Sequence, residues 1–229
     1  MKNLPLKIGH RGAKGHVAEN TLESIKKALE LGVDAIEIDV HLSTTGELVV
    51  FHDFTLERLT TDAGEIAMKS LKELKELRIN GQFEIPTLLE VLDLIDKKCM
   101  LNIELKGLRT AFETCKSIQL YTETKGWNFD GFLVSSFNHE ELKTVFNINK
   151  NIPLAVLTES DLDMAKNFAQ TINAKAIHPV HHLLNKKSVR QLQKLGFEVN
   201  TWTVNDIETI QRIKTYGVDG IFSDFPDRL

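Results

Sequence analysis

The chain has 229 residues, of which 42% are hydrophobic and 26% are charged, and its formal net charge is −4. This composition is typical of a soluble globular protein, and the length suffices for one large domain or two small ones. The sequence has neither a basic patch nor a polybasic helix, which argues against nucleic acid as a partner and against stable association with a membrane.

Cysteine usage and the N-terminal stretch bear on the cellular compartment. The two cysteines, Cys99 and Cys115, have no metal-ligand spacing, and we interpret them as free, buried or partly buried thiols. The first residues, MKNLPLKIGHRG, lack the apolar centre of a signal peptide, and no apolar run reaches the length of a membrane span. We therefore expect a cytoplasmic protein.

In chain order, short aliphatic runs alternate with amphipathic patterns of helical period. Predicted strands cover 6–10, 35–40, 48–53, 100–105, 131–136, 153–157, 176–180, 198–204 and 220–224. Predicted helices cover 20–31, 86–98, 109–125, 138–147, 161–171, 186–195 and 205–216. Residues that commonly cap helices precede or begin several of these segments, namely Asn20, Asn138, Asp161 and Asn205. The alternation indicates βαβ units and a parallel sheet.

Nine predicted strands are one more than a closed (β/α)8 barrel holds. The second and third strands are separated only by STTGE, which is too short for the crossover of a parallel pair. They should form an antiparallel hairpin, which leaves eight parallel strands and predicts a TIM barrel. Seven helices accompany these strands, so we expect the eighth to be missing or very short. We interpret residues 1–229 as a single domain with a small insertion at about 53–85 that contains a short helix, SLKELKEL.

Polar side chains interrupt the aliphatic strands near their carboxyl ends. In DAIEIDVH (34–41), Ile36, Ile38 and Val40 alternate with Glu37 and Asp39, so the acids share one face of the strand. Other polar groups follow or end further strands. They are His10, Arg11, His52, Glu104, Lys106 and Trp202. In this fold the active site lies at the carboxyl ends of the strands, so we expect these groups to meet there.

Three of these residues are carboxylates, and three ionised carboxylates are not stable together away from water without a cation. Glu37, Asp39 and Glu104 form an all-oxygen set that suits Mg²⁺ or Ca²⁺ better than Zn²⁺. The alternative is that each acid pairs with a nearby Lys or Arg, and Lys106 is the obvious partner for Glu104. In a barrel, beside two histidines, we favour a divalent metal site.

Two histidines lie where an acid and a base would be needed. His10 and His52 are the natural pair for proton transfer because imidazole titrates near neutral pH; the alternative for each is a core histidine bonded to a carbonyl. Arg11 offers a planar donor for phosphate, or else forms a surface ion pair. We expect His41 to be exposed, and His178 only to approach the site.

Seven motifs in order resemble the glycerophosphodiester phosphodiesterases. They are GHRG (9–12), ENTLES (19–24), IEIDV (36–40), VVFHD (49–53), LNIELK (101–106), VNTWTVN (199–205) and GVDGIFSDFP (217–226). The resemblance implies a TIM barrel with a small insertion after the HD motif. Ala18 replaces a proline usual in the family, and Thr45 stands where an aspartate is frequent; both lie outside the expected chemistry.

The same resemblance implies roles for the matching positions. The acid and base would be His10 and His52, and the ligands of a divalent metal, Mg²⁺ or Ca²⁺, would be the three acids named above. Arg11 and Lys106 would contact the phosphate, and Trp202 would line the pocket.

The resemblance also implies a reaction on a small-molecule substrate. A glycerophosphodiester, such as glycerophosphocholine or glycerophosphoethanolamine, would be hydrolysed to sn-glycerol 3-phosphate and an alcohol. A rival activity is that of a lysophospholipase D, which would need an apolar channel, with Phe54, Phe83 and Trp202 as candidates. A second rival is an inactive barrel that binds phosphate esters. The sequence leaves a homodimer open.

Overall fold

Eight parallel strands close into a barrel in the computed structural model, which describes residues 4–229. The strands in this range are β1 (Leu6–Gly9), β2 (Ala35–Leu42), β3 (Leu48–Val50), β4 (Met100–Leu105), β5 (Phe132–Ser136), β6 (Leu154–Thr158), β7 (Ala176–Pro179), β8 (Glu198–Thr201) and β9 (Gly220–Ser223). Strand β1 pairs with both β2 and β9, which closes the barrel, whereas β3 pairs antiparallel with β2. The prediction of a (β/α)8 barrel with one returning hairpin arm is therefore confirmed.

Helices alternate with the barrel strands. Those within residues 4–229 are α1 (Leu22–Glu30), α2 (Leu71–Glu76), α3 (Leu88–Ile95), α4 (Ala111–Thr124), α5 (His139–Ile148), α6 (Leu162–Thr171), α7 (Lys186–Lys194) and α8 (Ile207–Tyr216). Helix α2 is the short helix expected between the hairpin and the next barrel helix. After β9 the chain forms a 3-10 turn over Pro226–Arg228, in place of an eighth barrel helix. Every helix of this part of the chain is too short or too polar to cross a bilayer.

Two of the four predicted helix caps are wrong. Helix α1 is capped by Thr21 rather than Asn20, and α8 by Asp206 rather than Asn205. In both cases the next residue along the chain accepts the hydrogen bond from the first helical turn. The two asparagines are thereby left for contacts with other parts of the fold. The predicted caps of α5 and α6 are confirmed.

The two faces of each barrel strand have different surroundings. On β2, Ile36, Ile38 and Val40 belong to the large core between barrel and helices. Glu37 and Asp39 alternate with them and therefore point into the barrel. Lower in the barrel, towards the amino ends of the strands, the interior is filled by small and apolar side chains. These are Ile8, Ala35, Leu133, Ala155 and Ala176.

The segment after the hairpin has a hydrophobic cluster of its own, which joins it to β3. Its buried members are Val49, Phe51, Leu56, Leu59, Ile66, Leu74, Ile79 and Ile85. Phe51 directly precedes His52, so its burial fixes the backbone at His52 beside the mouth of the barrel. The two cysteines are free thiols, with Cys115 buried and Cys99 half-buried, as expected.

Candidate active site

Strand register brings three carboxylates together at the mouth of the barrel. In the parallel pair of β2 and β4, Asp39 stands opposite Glu104, and Glu37 lies two residues earlier on the same face of β2. Neighbouring strands are about 4.8 Å apart. One oxygen from each of the three residues lies within 4.8 Å of the others. We call these three residues the acidic cluster.

The acidic cluster is almost fully enclosed. Its members are 1 to 9% exposed. Burial, together with the charges of Asp39 and Glu104, raises the pKa of Glu37, and burial together with Asp39 raises that of Glu104. Glu37 Oε1 is buried without a hydrogen-bond partner among the described residues. An all-carboxylate set with an oxygen still free fits a hard divalent cation.

Two cations lie against the acidic cluster. The backbone N–H of Arg11 donates to Glu37 Oε2 at 2.8 Å, and its guanidinium Nε lies 3.3 Å from Asp39 Oδ2. Lys106 Nζ donates to Glu104 Oε1 at 3.2 Å. The alternative weighed from the sequence is therefore confirmed for the pair of Lys106 and Glu104, while the three acids are also grouped with each other.

Asn20 fixes one member of the acidic cluster. Its side-chain Nδ2 donates to Asp39 Oδ2 at 2.9 Å, and both residues are buried. This contact spans 19 residues of sequence. Asn20 of the ENT motif therefore gives Asp39, whose carboxylate also faces Arg11, a second donor. Sequence reasoning missed this role because Asn20 matched the pattern of a helix cap.

His10 is held by a carboxylate at the end of β9. Its Nδ1 lies 2.6 Å from Asp224 Oδ1, and Asp224 Oδ2 accepts a hydrogen bond of 2.8 Å from Asn205 Nδ2. Burial lowers the pKa of His10 despite the bond to Asp224. A neutral imidazole that donates from Nδ1 keeps the lone pair of Nε2 free for a proton. Asp224 and Asn205 were also missed, although both lie in quoted motifs, SDFP and TVN.

His52 has a similar partner. Its Nδ1 lies 2.6 Å from Asp53 Oδ1, and burial lowers its pKa. Both imidazoles line the same cavity. Because Nδ1 of each ring contacts a carboxylate, Nε2 of each ring is left for a ligand. The sequence predicted that His10 and His52 lie near each other at the mouth of the barrel, and in the structure both line this cavity.

Every predicted site residue except Asp39 lines the cavity at the mouth. It has a volume of about 60 Å³ and is lined by His10, Arg11, Glu37, His52, Asn102, Glu104, Lys106, Phe137, Leu157, His178, Trp202 and Phe222. Trp202 donates from its indole nitrogen to the carbonyl of His178 at 2.8 Å and packs edge-on against Phe137. Lys106 Nζ lies 5.8 Å from the centre of the Phe137 ring.

Two histidines differ from expectation. His41 is fully buried rather than exposed, with Nε2 3.3 Å from the carbonyl oxygen of His52 and its ring against Phe54. The chain that follows the hairpin covers it, which the alternation within the strand does not reveal. His178 is buried and lines the cavity rather than only approaching it, and burial lowers its pKa to about 3. Sequence reasoning could not distinguish these environments.

Two candidates for an apolar channel lie outside the cavity. Phe83 packs against the hydrophobic cluster of the segment after the hairpin, and Phe54 covers His41 and is 56% exposed. Phe137 and Leu157, which sequence reasoning did not name, line the cavity with Trp202. Of the three residues considered for an apolar channel, Trp202 alone lines the cavity.

Comparison with known proteins gives matches over nearly the whole chain. The model of the glycerophosphoryl diester phosphodiesterase family matches residues 10–228. A glycerophosphodiester phosphodiesterase of Caldanaerobacter subterraneus subsp. tengcongensis is 35% identical over 233 residues, covering 98% of this chain and 96% of the relative. One of Bacillus altitudinis is 36% identical over 235 residues, covering 96% and 95%. A solved phosphodiesterase of Oleispira antarctica, in complex with the product sn-glycerol-3-phosphate, is similar with a TM-score of 0.89 and 31% identity, covering 98% and 95%.

Proposed function

Because the chain belongs to the glycerophosphoryl diester phosphodiesterase family and is thus a phosphoric diester hydrolase, we propose that it converts glycerophosphodiesters to sn-glycerol 3-phosphate and an alcohol. Glycerophosphocholine and glycerophosphoethanolamine are the proposed substrates. The observation that carries the proposal is the single cavity that two imidazoles, two cations and acidic side chains share. The product bound to the Oleispira antarctica relative supports a small-molecule substrate. We propose that residues 1–229 act as one domain.

The cations of the cavity would bind the phosphate. Arg11 and Lys106 both line it, and each already lies beside a carboxylate of the acidic cluster. Their positive charge would attract the phosphodiester and stabilise the negative charge that develops on its oxygens. Trp202 and Phe137 would cover the substrate at the mouth.

The acidic cluster would hold one divalent cation, Mg²⁺ or Ca²⁺. The donor set consists of carboxylate oxygens, and the free oxygen of Glu37 supports this assignment. When bound, such an ion supplies positive charge to a non-bridging phosphoryl oxygen. In its absence Glu37 and Glu104 retain protons more readily than exposed carboxyls do, since their pKa values are raised.

The two imidazoles would move the protons. One imidazole, neutral, would accept a proton at Nε2 from the nucleophile, which is water or the 2-hydroxyl of the substrate's glycerol. The other would enter the reaction as the imidazolium, protonated on both nitrogens, and would give its Nε2 proton to the departing alkoxide. Asp224 and Asp53 would keep an N–H of each ring on Nδ1, which leaves Nε2 of His10 and of His52 for the substrate.

The direct test is an assay for sn-glycerol 3-phosphate released from glycerophosphocholine, run with Mg²⁺, Ca²⁺ or EDTA. We expect metal-dependent release, with lysophosphatidylcholine turned over much more slowly because Phe54 and Phe83, two of the three candidates for an apolar channel, do not line the cavity. Faster turnover of the lysolipid would favour the lysophospholipase D activity. Binding of substrate without turnover, with metal supplied, would favour the inactive barrel.

Replacing Asp224 tests the orientation of His10. We expect Asp224→Asn to lower kcat by about 10²-fold, because an amide no longer fixes the tautomer of the imidazole. The matched control is Asp227→Asn, since Asp227 holds the more exposed His16 at 2.6 Å in the same type of pair. Steady-state kinetics of the two variants give the comparison, and an unchanged kcat in a folded Asp224→Asn variant would contradict the assignment.

The raised pKa values of the acidic cluster predict a pH dependence of metal binding. Glu37 and Glu104 must lose protons before they bind a cation, so affinity should increase as pH rises through their pKa values. Between about pH 6 and about pH 8 we expect the Kd of Mg²⁺ or Ca²⁺ to fall by roughly tenfold or more. Calorimetric titration measures this, and a constant Kd would argue against these carboxylates as ligands.

A further inference from the structure

Arg58, in the segment after the hairpin, bridges two carboxylates at the edge of the site. On one side its Nη2 lies 2.9 Å from Asp53 Oδ1, and its Nε also contacts the other oxygen of Asp53. On the other side Nη2 and Nη1 lie 2.7 and 3.2 Å from the two oxygens of Glu19. Each carboxylate thus receives two donors from a single guanidinium.

Each bridged carboxylate also contacts a residue of the cavity. Asp53 Oδ1 is the atom that lies 2.6 Å from His52 Nδ1. Glu19 Oε1 accepts a hydrogen bond of 2.7 Å from Arg11 Nη1. A continuous chain of contacts therefore runs from His52 through Asp53, Arg58 and Glu19 to Arg11.

The burial of Glu19 separates its contact with Arg58 from an ordinary surface ion pair. Glu19 is only 4% exposed, whereas the side chain of Arg58 is 45% exposed. Burial alone would raise the pKa of Glu19, but hydrogen bonds and charges from Arg58 and Arg11 lower it to about 2. Asp53 likewise has a lowered pKa, chiefly through its hydrogen bond to Arg58. Both carboxylates are therefore ionised acceptors with a fixed direction.

We propose that Arg58 is a positioning residue, which orients His52 through Asp53 for proton transfer and Arg11 through Glu19 for phosphate binding. This inference rests on the proposed function for its kinetic consequences. The planar guanidinium has enough donors to hold two carboxylates at once. A lysine has one ammonium on a flexible stem and does not reproduce two bidentate contacts.

The kinetic test uses Arg58→Lys, which keeps the positive charge. We expect kcat to fall by about tenfold through misplacement of His52, and KM to rise by roughly threefold through Arg11. In a His52→Ala background the same substitution should leave kcat within about twofold of that of His52→Ala alone, because the imidazole that Arg58 orients is absent. Asp53→Asn should affect mainly kcat and Glu19→Gln mainly KM.

A matched control separates positioning from support of the segment as a whole. Lys69 forms an ion pair of 2.7 Å with Asp62 in the same segment, away from the cavity. Lys69→Met should leave kcat and KM near those of the wild type. The proposal would be overturned if Lys69→Met and Arg58→Lys lowered kcat equally. It would also be overturned if Arg58→Lys lowered kcat as much in the His52→Ala background as in the wild type.

A readout without turnover keeps this inference distinct from the proposed function. In the wild type we expect a low-field proton NMR signal from the His52 Nδ1–H that faces Asp53, and this signal should weaken or shift in Arg58→Lys. If the wild type were inactive on glycerophosphodiesters, the proposed function would be wrong. The NMR signal would still test whether Arg58 orients His52 through Asp53. A signal unchanged by Arg58→Lys, or retention of wild-type kcat and KM in that variant, would refute the positioning role.

Discussion

Replacing either His10 or His52 with alanine is expected to lower kcat by on the order of 10²-fold or more. Each imidazole lines the cavity and is tied at Nδ1 to a carboxylate 2.6 Å away. In the proposed mechanism each would present Nε2 to the substrate, so that loss of either ring would remove one of the two proton transfers. Steady-state kinetics on glycerophosphocholine, with metal at saturation, measure the effect.

His16 provides the matched control for these two variants. It too is tied to an aspartate, with Nε2 2.6 Å from Asp227 Oδ1, but its side chain is 30% exposed and it does not line the cavity. We expect His16→Ala to retain kcat close to that of the wild type. Near-normal turnover in folded His10→Ala or His52→Ala would remove that residue from the proton-transfer scheme.

Removal of divalent metal is the second change with a large expected effect. Treatment with EDTA should abolish turnover, and excess Mg²⁺ or Ca²⁺ should restore it. The reason is that three buried carboxylates within 4.8 Å of one another repel each other and the phosphate unless a cation lies among them. The measurement is product release before and after chelation, with metal content determined on the same sample.

Substitutions in the acidic cluster test the same hypothesis without a chelator. Glu104→Gln keeps the size of the side chain but removes one anionic ligand, and we expect kcat to fall by at least ~10²-fold. Glu30→Gln is the control, because Glu30 lies on the outer surface of α1 and is 54% exposed. Full activity in protein shown to contain no metal would contradict the metal hypothesis.

The sequence predicted the architecture because its signals are local and periodic. The length of STTGE alone distinguished the antiparallel arm from a barrel strand, and the alternation at 36–40 placed Glu37 and Asp39 on one face. The convergence of Glu104 on Asp39 depends on the register of β2 and β4. Register follows from the closed barrel rather than from either strand alone. The sequence therefore grouped these acids only through the expectation that the carboxyl ends of the barrel strands meet.

The errors concern contacts between distant parts of the chain. Asn20 and Asn205 fit the local pattern of a helix cap, but their side chains bind Asp39 and Asp224 instead. His41 was expected to be exposed because it lies where the hairpin should leave the barrel mouth, and the strand pattern does not reveal that another segment covers it. In each case the missing information was the position of another segment in three dimensions.

The layered interior of the barrel has a consequence for protein engineering. Small and apolar side chains such as Leu133, Ala155 and Ala176 fill the lower layer, and ionisable groups occupy the rim above it. Volume-conserving exchanges in the lower layer change packing without touching a reactive atom. We therefore expect exchanges in the lower layer to alter heat resistance and exchanges in the loops around the opening to alter substrate range, each with little effect on the other.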